Sequence, residues 1–298
     1  MKNTTLFTVA VGAVLNTNVA IAREDDATTN KLNPTDIQGG GVAVNMYNPH
    51  SVNPTPEEDV LFGKKIWRLM DLRNKSNRGF YAPDGEITKW IIEGVQAGDI
   101  TPYKDEGFEQ PMTQTEFMEQ LKLPEEDTWT SEEKEEGFAD DSGDWGKHSV
   151  AKHDDAKHAE HFLPREVSML ELVVNYFFDK KRCEIVEMDI QSIKLIIPAD
   201  KFPTGLRRDV AIFRYKDLYD YFSSIPGKAI WKHPTNNRLD LSIPEAFAFG
   251  GFTTTIIKVE NPDNHSLEDI YGSPKEAIKA ARRIEEKFKD DASFLWEP

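Results

Sequence analysis

Residues 171–198, ELVVNYFFDKKRCEIVEMDIQSIKLIIP, form the stretch that decides the fold. Around its first half, apolar and polar side chains alternate along the chain: Leu170, Leu172, Val174, Tyr176 and Phe178 against Glu171, Asn175 and Asp179. Such alternation is typical of a β-strand that buries one face. The charged residues 179–182 follow, and a second alternating run comes after them. The stretch therefore predicts a β-hairpin with its turn at 179–182.

The returning strand changes parity part of the way along. Its apolar side chains lie first at Val186, Met188 and Ile190, and then at Ile193, Leu195 and Ile197. Because successive strand residues point to opposite sides of a sheet, this change would turn the second set out of the core unless one residue were extra. We therefore predict a β-bulge or a strand break at Gln191 and Ser192.

The sequence ahead of the hairpin predicts a helical region over residues 55–123. Residues 55–58, TPEE, have the spacing of a capping box and precede apolar residues at helical spacing: Phe62, Ile66, Leu69 and Met70. A second helix is expected after Asp84, with Gly98 as its C-terminal cap, and a third from Thr113. Trp67 and Trp90 are expected to pack between these helices as core residues.

The sequence after the hairpin predicts short strands and helices. Strands are expected at residues 209–215 and 252–260, with a brief pairing at 229–231, and short helices are expected at 216–222 and after Ser242. Together these patterns predict an α+β fold: a helical N-terminal part, a linker, and a small antiparallel sheet built on the long hairpin with flanking helices.

A last helix is expected from Ser273, with apolar residues at Ile278, Ala281, Ile284 and Phe288. Its opposite face carries mostly cations: Lys275, Lys279, Arg283, Glu286 and Lys287. Two interpretations fit this face. It is a solvated helix surface, or it docks against an acidic partner.

Composition indicates an exported protein that does not bind nucleic acid. The chain has 298 residues and a formal net charge of −16, which repels nucleic acid and anionic lipid. Lys2 and the apolar residues 6–15, followed by Ala20-Ile21-Ala22, predict a signal peptide over residues 1–22. Residues 23–54 are expected to form a flexible lead segment. No cysteine lies at the predicted cleavage site, so no lipid anchor is expected.

The single cysteine, Cys183, is expected to be a buried, inert thiol at the start of a strand, without a disulfide partner. No phosphate-binding loop, dinucleotide-binding turn or nucleophile elbow is found in the sequence. We therefore assign no catalytic or cofactor-binding residue. An unrecognised hydrolase that uses the scattered carboxylates stays an alternative, and its first sign would be an apolar pocket with converging titratable groups.

Residues 124–162 have the composition of an acidic and histidine-rich linker, ahead of an α+β region at 163–298. Residues 124–144 are rich in Asp and Glu, which is typical of a solvated segment or of an electrostatic contact with a basic neighbour. A histidine cluster follows, interleaved with carboxylates: His148, His153, His158 and His161 with Asp154, Asp155 and Glu160. These side chains could bind zinc or nickel, but the spacing matches no selective metal motif. We therefore assign no metal ligand and keep a periplasmic metal-binding protein as the alternative function.

Several motifs resemble the gliding-motility N proteins (GldN/PorN) of the type IX secretion system. They are, in order, DLRNKSN at 71–77, FFDKKRC at 177–183, EAFAFGGFTTTIIKVENPDN at 245–264 and FLWEP at 294–298. The resemblance implies a non-enzymatic periplasmic protein that needs no cofactor. It also implies assembly into an outer-membrane-associated ring, with copies of itself and a partner lipoprotein, that faces an inner-membrane motor. Protein secretion and gliding motility are the functions expected from it.

Overall fold

The computed structural model describes residues 45–123, 161–202, 205–233, 236 and 238–294, with side chains as far as 290. The strands in this part of the chain are β1 (Val60–Asp71), β2 (Met169–Asp179), β3 (Glu184–Ile197), β4 (Arg208–Arg214), β5 (Ile230–Lys232), β6 (Asp240–Ser242) and β7 (Thr255–Val259). The helices are α1 (Ile87–Ala97), α2 (Gln114–Gln120), α3 (Tyr215–Ser224), α4 (Ile243–Phe249), α5 (Leu267–Tyr271) and α6 (Pro274–Phe294).

One five-stranded antiparallel sheet organises the described part of the chain. Its strand order is β4-β3-β2-β1-β7, so the hairpin strand β2 lies at the centre, while β5 and β6 form a separate pair. The expected α+β class and the sheet built on the hairpin are confirmed. The predicted signal peptide and the linker up to residue 160 lie outside the described residues.

The hairpin has the predicted turn and the predicted bulge. The Asp179 carboxylate accepts hydrogen bonds from the backbone N–H groups of Lys181 and Arg182 at 2.8 and 3.1 Å, which holds the turn. Val173 pairs with Ser192, but Val174 pairs with Ile190, so Gln191 is the extra residue. The bulge lets Ile190 and Ile193, on its two sides, both face the core.

The first predicted helix is wrong, because residues 60–71 form the strand β1. Residues four apart share a face in a strand as well as in a helix, so the spacing of Phe62, Ile66 and Met70 satisfies both structures. The position of residues 60–71 within the sheet decides between helix and strand. β1 lies between β2 and β7, where its backbone pairs on both sides from Ile66 to Leu69. The helix prediction also placed Leu69 on the same face as Ile66. In the strand these two residues, three apart, point to opposite faces of the sheet.

The other predicted helices are confirmed, and so are their caps. Gly98 ends α1 with φ 81°, a left-handed conformation that glycine adopts without strain. Thr113 and Glu116 form the capping box of α2, and Ser242 and Glu245 form that of α4. Helices and sheet together bury one core, in which Phe117 of α2 packs edge-on against Phe213 of β4 at 6.0 Å.

The last helix, α6, packs against β1, β2 and β7 through a stripe that differs by one residue from the predicted one. Ala281 is buried, and Ile284 and Phe288 pack against the core, but Ile278 is 48% exposed. Phe288 stacks on Tyr176 of β2 with ring centroids 4.4 Å apart. Arg68 of β1 pairs with Glu285 at 2.8 Å.

The second face of the sheet is covered too, which the alternation in β2 did not predict. Glu171, Asn175 and Asp179 are all buried, at 4%, 5% and 3% exposure. The cover comes from residues 45–57, which lie in the predicted flexible lead segment and the start of the predicted helical region, and from the loop at 99–112. Tyr47 packs edge-on against Phe177 at 5.3 Å, and backbone hydrogen bonds join Tyr103 to Ile212 at 2.8 and 2.9 Å.

Trp67 lies on this second face and not between helices, which corrects the prediction for it. Its indole Nε1 donates to Glu106 Oε1 at 2.9 Å, and the Lys258 ammonium lies 4.0 Å from the centre of its ring. Trp90 of α1 is half-buried and packs against the core. Trp67 therefore fastens the loop at 99–112 to the centre of the sheet.

Candidate interaction surfaces

The histidines of the proposed metal site lie mostly beyond the described part of the chain. His148, His153 and His158 are outside it, and His161 forms a β-bridge with Lys122. Among the residues that the structure describes, no group of three or more His, Cys, Asp or Glu side chains is placed to hold a metal ion. The metal-binding alternative therefore stays a hypothesis about undescribed residues.

Buried charges on the second face pair with each other. Lys194 Nζ lies 2.8 Å from Glu171 Oε1 and 3.4 Å from Asp209 Oδ2, and the side chains of Lys194 and Glu171 are nearly buried. Burial alone lowers the pKa of Lys194, but the two carboxylates outweigh it and raise that pKa. A lysine held in its charged form suits an ion pair that joins β2, β3 and β4, and it does not suit a general base.

A hollow of about 440 Å³ beside this ion pair is the first place to look for the hydrolase alternative. Its lining includes Lys194, Asp209, Lys104 and Glu116. Each of these four groups already has a partner. Lys104 Nζ pairs with Glu116 at 2.5 Å, and Lys194 pairs with Asp209 at 3.4 Å. Lys104 and Thr113 lower the pKa of Glu116 to about 2, so this carboxylate is ionised and acts as a helix cap. These pairings give the hollow no free acid and base that face each other.

Asp189 holds the N-terminal segment on the second face. Its carboxylate accepts from Asn48 Nδ2 at 2.6 Å and from Gln191 Nε2 at 2.7 Å, and it also accepts from the Ser51 hydroxyl. Burial raises the pKa of Asp189, and the hydrogen bonds from Asn48, Ser51 and Asn175 oppose that rise. The sequence offered no signal for this cluster, because Asn48 and Ser51 lie more than a hundred residues before Asp189.

Cys183 is exposed, which corrects the prediction of a buried thiol. It is the last residue of the hairpin turn and has φ 51°, and its Sγ lies 3.4 Å from Lys180 O. The turn holds it out of the core, because the Asp179 carboxylate binds the backbone of the two preceding residues. Its position in the family motif therefore belongs to a turn and not to the sheet interior.

The first half of β1 is an open strand edge. β7 pairs with β1 from Ile66 to Leu69, and the backbone of Glu260 reaches Lys65, but on that side no described strand pairs with residues 60–64. Leu61 is 60% exposed and Phe62 is 38% exposed. We call residues 60–64 the β1 edge. Unpaired backbone groups beside apolar side chains are suited to adding a strand from another chain. Sequence reasoning missed this edge because it placed Phe62 in a helix core.

The cationic side of α6 faces away from the core. Lys275, Lys279, Arg283 and Lys287 are all exposed, and we call this row of four the α6 ridge. Lys279 Nζ pairs with Glu276 Oε1 on the same helix at 2.8 Å. The exposure of the ridge is compatible with both interpretations of this face, a solvated helix surface and a docking surface for an acidic partner. The β1 edge and the α6 ridge are thus two separate candidate surfaces for contacts with other chains.

Comparison with known protein families gives a match over most of the chain. A family model described as gliding motility associated protein GldN matches residues 55–297, which include the β1 edge and the α6 ridge. A search of the curated proteins finds no match. Of the helices within the described residues, none has the length and apolar content needed to cross a membrane.

Proposed function

Because the chain belongs to the family of gliding motility associated protein GldN, we propose that it is a structural component of the type IX protein secretion and gliding machinery. In this proposal the chain is not an enzyme, and it works in the periplasm. It forms a ring with copies of itself and with a partner lipoprotein, which attaches the ring to the outer membrane. The ring faces the periplasmic domain of the inner-membrane motor.

The family match carries the proposal, because it spans residues 55–297 and so every strand of the five-stranded sheet. Gliding motility follows from the family itself. Ring formation and the lipoprotein are the further steps, and the predicted signal peptide at residues 1–22 supports the periplasmic location.

The described surface supports a role in assembly. A subunit of a large ring needs surfaces that bind neighbours, and the β1 edge offers unpaired backbone together with Leu61 and Phe62. In the hollow beside Lys194, both lysines are held in ion pairs, Lys104 with Glu116 and Lys194 with Asp209.

Affinity purification from envelope membranes tests this proposal. A tagged copy of the chain is extracted in mild detergent, and the proteins that elute with it are identified by mass spectrometry. We expect an outer-membrane lipoprotein and a motor subunit to co-elute, and an unrelated tagged periplasmic protein serves as the control. Recovery of the chain without either partner would overturn the proposal.

A further inference from the structure

The α6 ridge is a row of cations that the described fold does not use for its own packing. Its members, Lys275, Lys279, Arg283 and Lys287, are each four residues apart and exposed. At a rise of 1.5 Å per residue the row extends over about 18 Å of helix. Among the described residues, Lys275 and Lys287 have no ion pair, and Lys279 pairs within its own helix. Glu286 is exposed on the same face, so four cations and one carboxylate give this face a net positive charge on a protein whose net charge is −16.

Residues 124–144 carry the opposite charge. This acidic segment contains ten Asp and Glu residues and one lysine, Lys134. Several of its carboxylates come in adjacent pairs or triplets: residues 125–127, 132–133, 135–136 and 140–141. A row of cations 18 Å long and a run of carboxylates over 21 residues are complementary in charge, and 21 residues are enough to follow the whole row.

The acidic segment leaves the fold near the β4 edge of the sheet. Phe162 N donates to Leu121 O at 2.8 Å, and Lys122 bridges His161, so the residues that flank the linker lie side by side. Arg208 of β4 donates to Lys122 O at 2.9 Å, which places this point at β4.

The α6 ridge lies near the other edge of the sheet. α6 packs against β7 and β1, where Glu285 pairs with Arg68. β4 and β7 are the two outer strands of the five, so at a spacing of about 4.8 Å per strand the two edges are roughly 19 Å apart. The residues that flank the segment and the ridge thus lie near opposite edges of the sheet.

We propose that the acidic segment of one copy of the chain binds the α6 ridge of a neighbouring copy. Because the segment and the ridge are different surfaces, the contact is head-to-tail: each copy gives its segment to one neighbour and its ridge to the other. Head-to-tail contacts between identical subunits build rings when the rotation per subunit closes. This inference rests on the proposed ring and names the contact between copies within it.

The strength of the contact depends on ionic strength. A single exposed ion pair contributes about 1 kcal/mol or less, so binding needs several pairs at once, and a ridge of four cations supplies them. Exposed charges are screened beyond about 8 Å at 0.15 M salt. Association between copies should therefore be strongest at low salt and should weaken as salt is added.

Two charge-reversed variants and one control test the proposal. The ridge variant carries Lys275→Glu, Lys279→Glu, Arg283→Glu and Lys287→Glu. The segment variant carries lysine at six acidic positions: Glu125, Glu126, Glu132, Glu133, Glu135 and Glu136. The control variant makes the same change in net charge as the ridge variant, at four exposed lysines elsewhere: Lys75→Glu, Lys180→Glu, Lys181→Glu and Lys228→Glu. Sedimentation velocity of the purified full chain measures self-association at low and at high salt, and circular dichroism confirms that each variant is folded.

We expect the wild type and the control variant to associate at low salt and to dissociate at high salt. The ridge variant alone and the segment variant alone should both lose association. An equimolar mixture of the two should regain it, because each ridge then meets a segment of opposite charge on the other chain.

Three results would overturn the proposal: a wild type that stays monomeric at low salt, a ridge variant that associates as the wild type does, or a mixture that stays monomeric. The last is the result expected if the segment binds the ridge of its own chain. The measurement needs no lipoprotein, so its failure leaves the proposed membrane complex standing. If instead the co-purification from membranes fails, sedimentation velocity still tests this contact between copies independently.

Discussion

Asn48 Nδ2 donates a hydrogen bond to Asp189 Oδ2 at 2.6 Å, although 141 residues separate the two in the chain. Asn48 also accepts from the backbone N–H of Thr55 at 2.6 Å, so one side chain both shapes the N-terminal segment and attaches it to β3. Asn48 and Ser51 are each 1% exposed. The second face of the sheet is thus closed by a segment that precedes the first strand, and Asp189 is its attachment point.

Replacing Asp189 by alanine should release this segment from the sheet. Asn48 and Ser51 lose their shared acceptor, and we expect the free energy of unfolding to fall by about 1–3 kcal/mol. Amide hydrogen exchange should rise at Tyr47 and Ser51, whose N–H groups bond within the segment, and should stay slow in β2. Asp263→Ala, which removes an exposed carboxylate in a turn, is the control. Unchanged exchange at Tyr47 in the Asp189 variant would refute this role.

The same carboxylate should make stability depend on pH in a defined direction. Burial raises the pKa of Asp189 above its ordinary value of 3.8, so the folded state takes up the proton at a higher pH than the unfolded state does. The contribution of Asp189 to the free energy of unfolding therefore increases as pH falls through the raised pKa, and it is constant at higher pH. Asp189→Asn, which does not titrate, is the reference.

Urea unfolding of the wild type and of Asp189→Asn at a series of pH values measures this effect. The difference in stability between the two should shift in favour of the wild type as the medium becomes mildly acidic. A difference that is flat with pH, or that moves toward the variant in acid, would contradict the assignment.

The buried pair of Lys194 and Glu171 should respond differently to single and to double replacement. Lys194→Met leaves the Glu171 carboxylate buried without its partner at 2.8 Å, which costs about 3–5 kcal/mol. The double variant Glu171→Leu with Lys194→Met removes both charges and should recover most of that loss. A double-mutant cycle by urea unfolding measures the coupling. Lys201→Met breaks a more exposed pair with Glu166 and should cost much less. Additive losses at the two buried sites would disprove the coupling.

Gly79 should tolerate no side chain. A Cβ at this position would meet the indole Nε1 of Trp231, which is fully buried, and would lie 2.5 Å from Lys232 O. Gly79→Ala should therefore destabilise the protein by about 1–3 kcal/mol, because neither the ring nor the backbone has room to move. At Gly85 the nearest atom would be 3.8 Å from a Cβ, so Gly85→Ala is the matched control. Thermal unfolding of the two variants compares them, and equal melting temperatures would rule out the clash.

The β1 edge should matter for assembly and not for folding. Leu61 is 60% exposed, so Leu61→Asp removes little buried area and should change the free energy of unfolding by less than about 0.5 kcal/mol. It places a charge beside the open strand, where a partner strand would have to bury it, so co-purification with partners should fall. Leu206→Asp is the control, since Leu206 is 71% exposed and lies outside the edge. Equal recovery of partners with both variants would show that the edge is not a contact.

The predictions that the structure confirms rest on local patterns. Alternation and a charged turn gave the hairpin, and the change of parity after Ile190 located the extra residue at Gln191. Caps such as Thr113 with Glu116, and Gly98 in the left-handed conformation, depend on neighbours within a few residues. The exposed ridge on α6 follows from helical spacing in the same way.

The prediction for residues 60–71 failed because local spacing was ambiguous there. Ile66 and Met70 are four residues apart, which puts them on one face of a helix and equally on one face of a strand. Pairing with β2 and β7 decided in favour of the strand, and the strand β7 lies almost 190 residues further along the chain. The same cause hid the open edge at Leu61 and the contact of Trp67 with Glu106.

The sequence by itself determined the hairpin and its bulge, most of the helices with their caps, and the family, because each of these is written in residues that are close together or in motifs in a set order. Only the tertiary structure decided that residues 60–71 are a strand, that Asn48 reaches Asp189 across the sheet, and that Cys183 is exposed. The physical reason is that these features depend on contacts between residues far apart in the sequence. A backbone hydrogen bond across a sheet, or a buried carboxylate with distant donors, depends on which segments meet in space, and no local pattern of side chains states that.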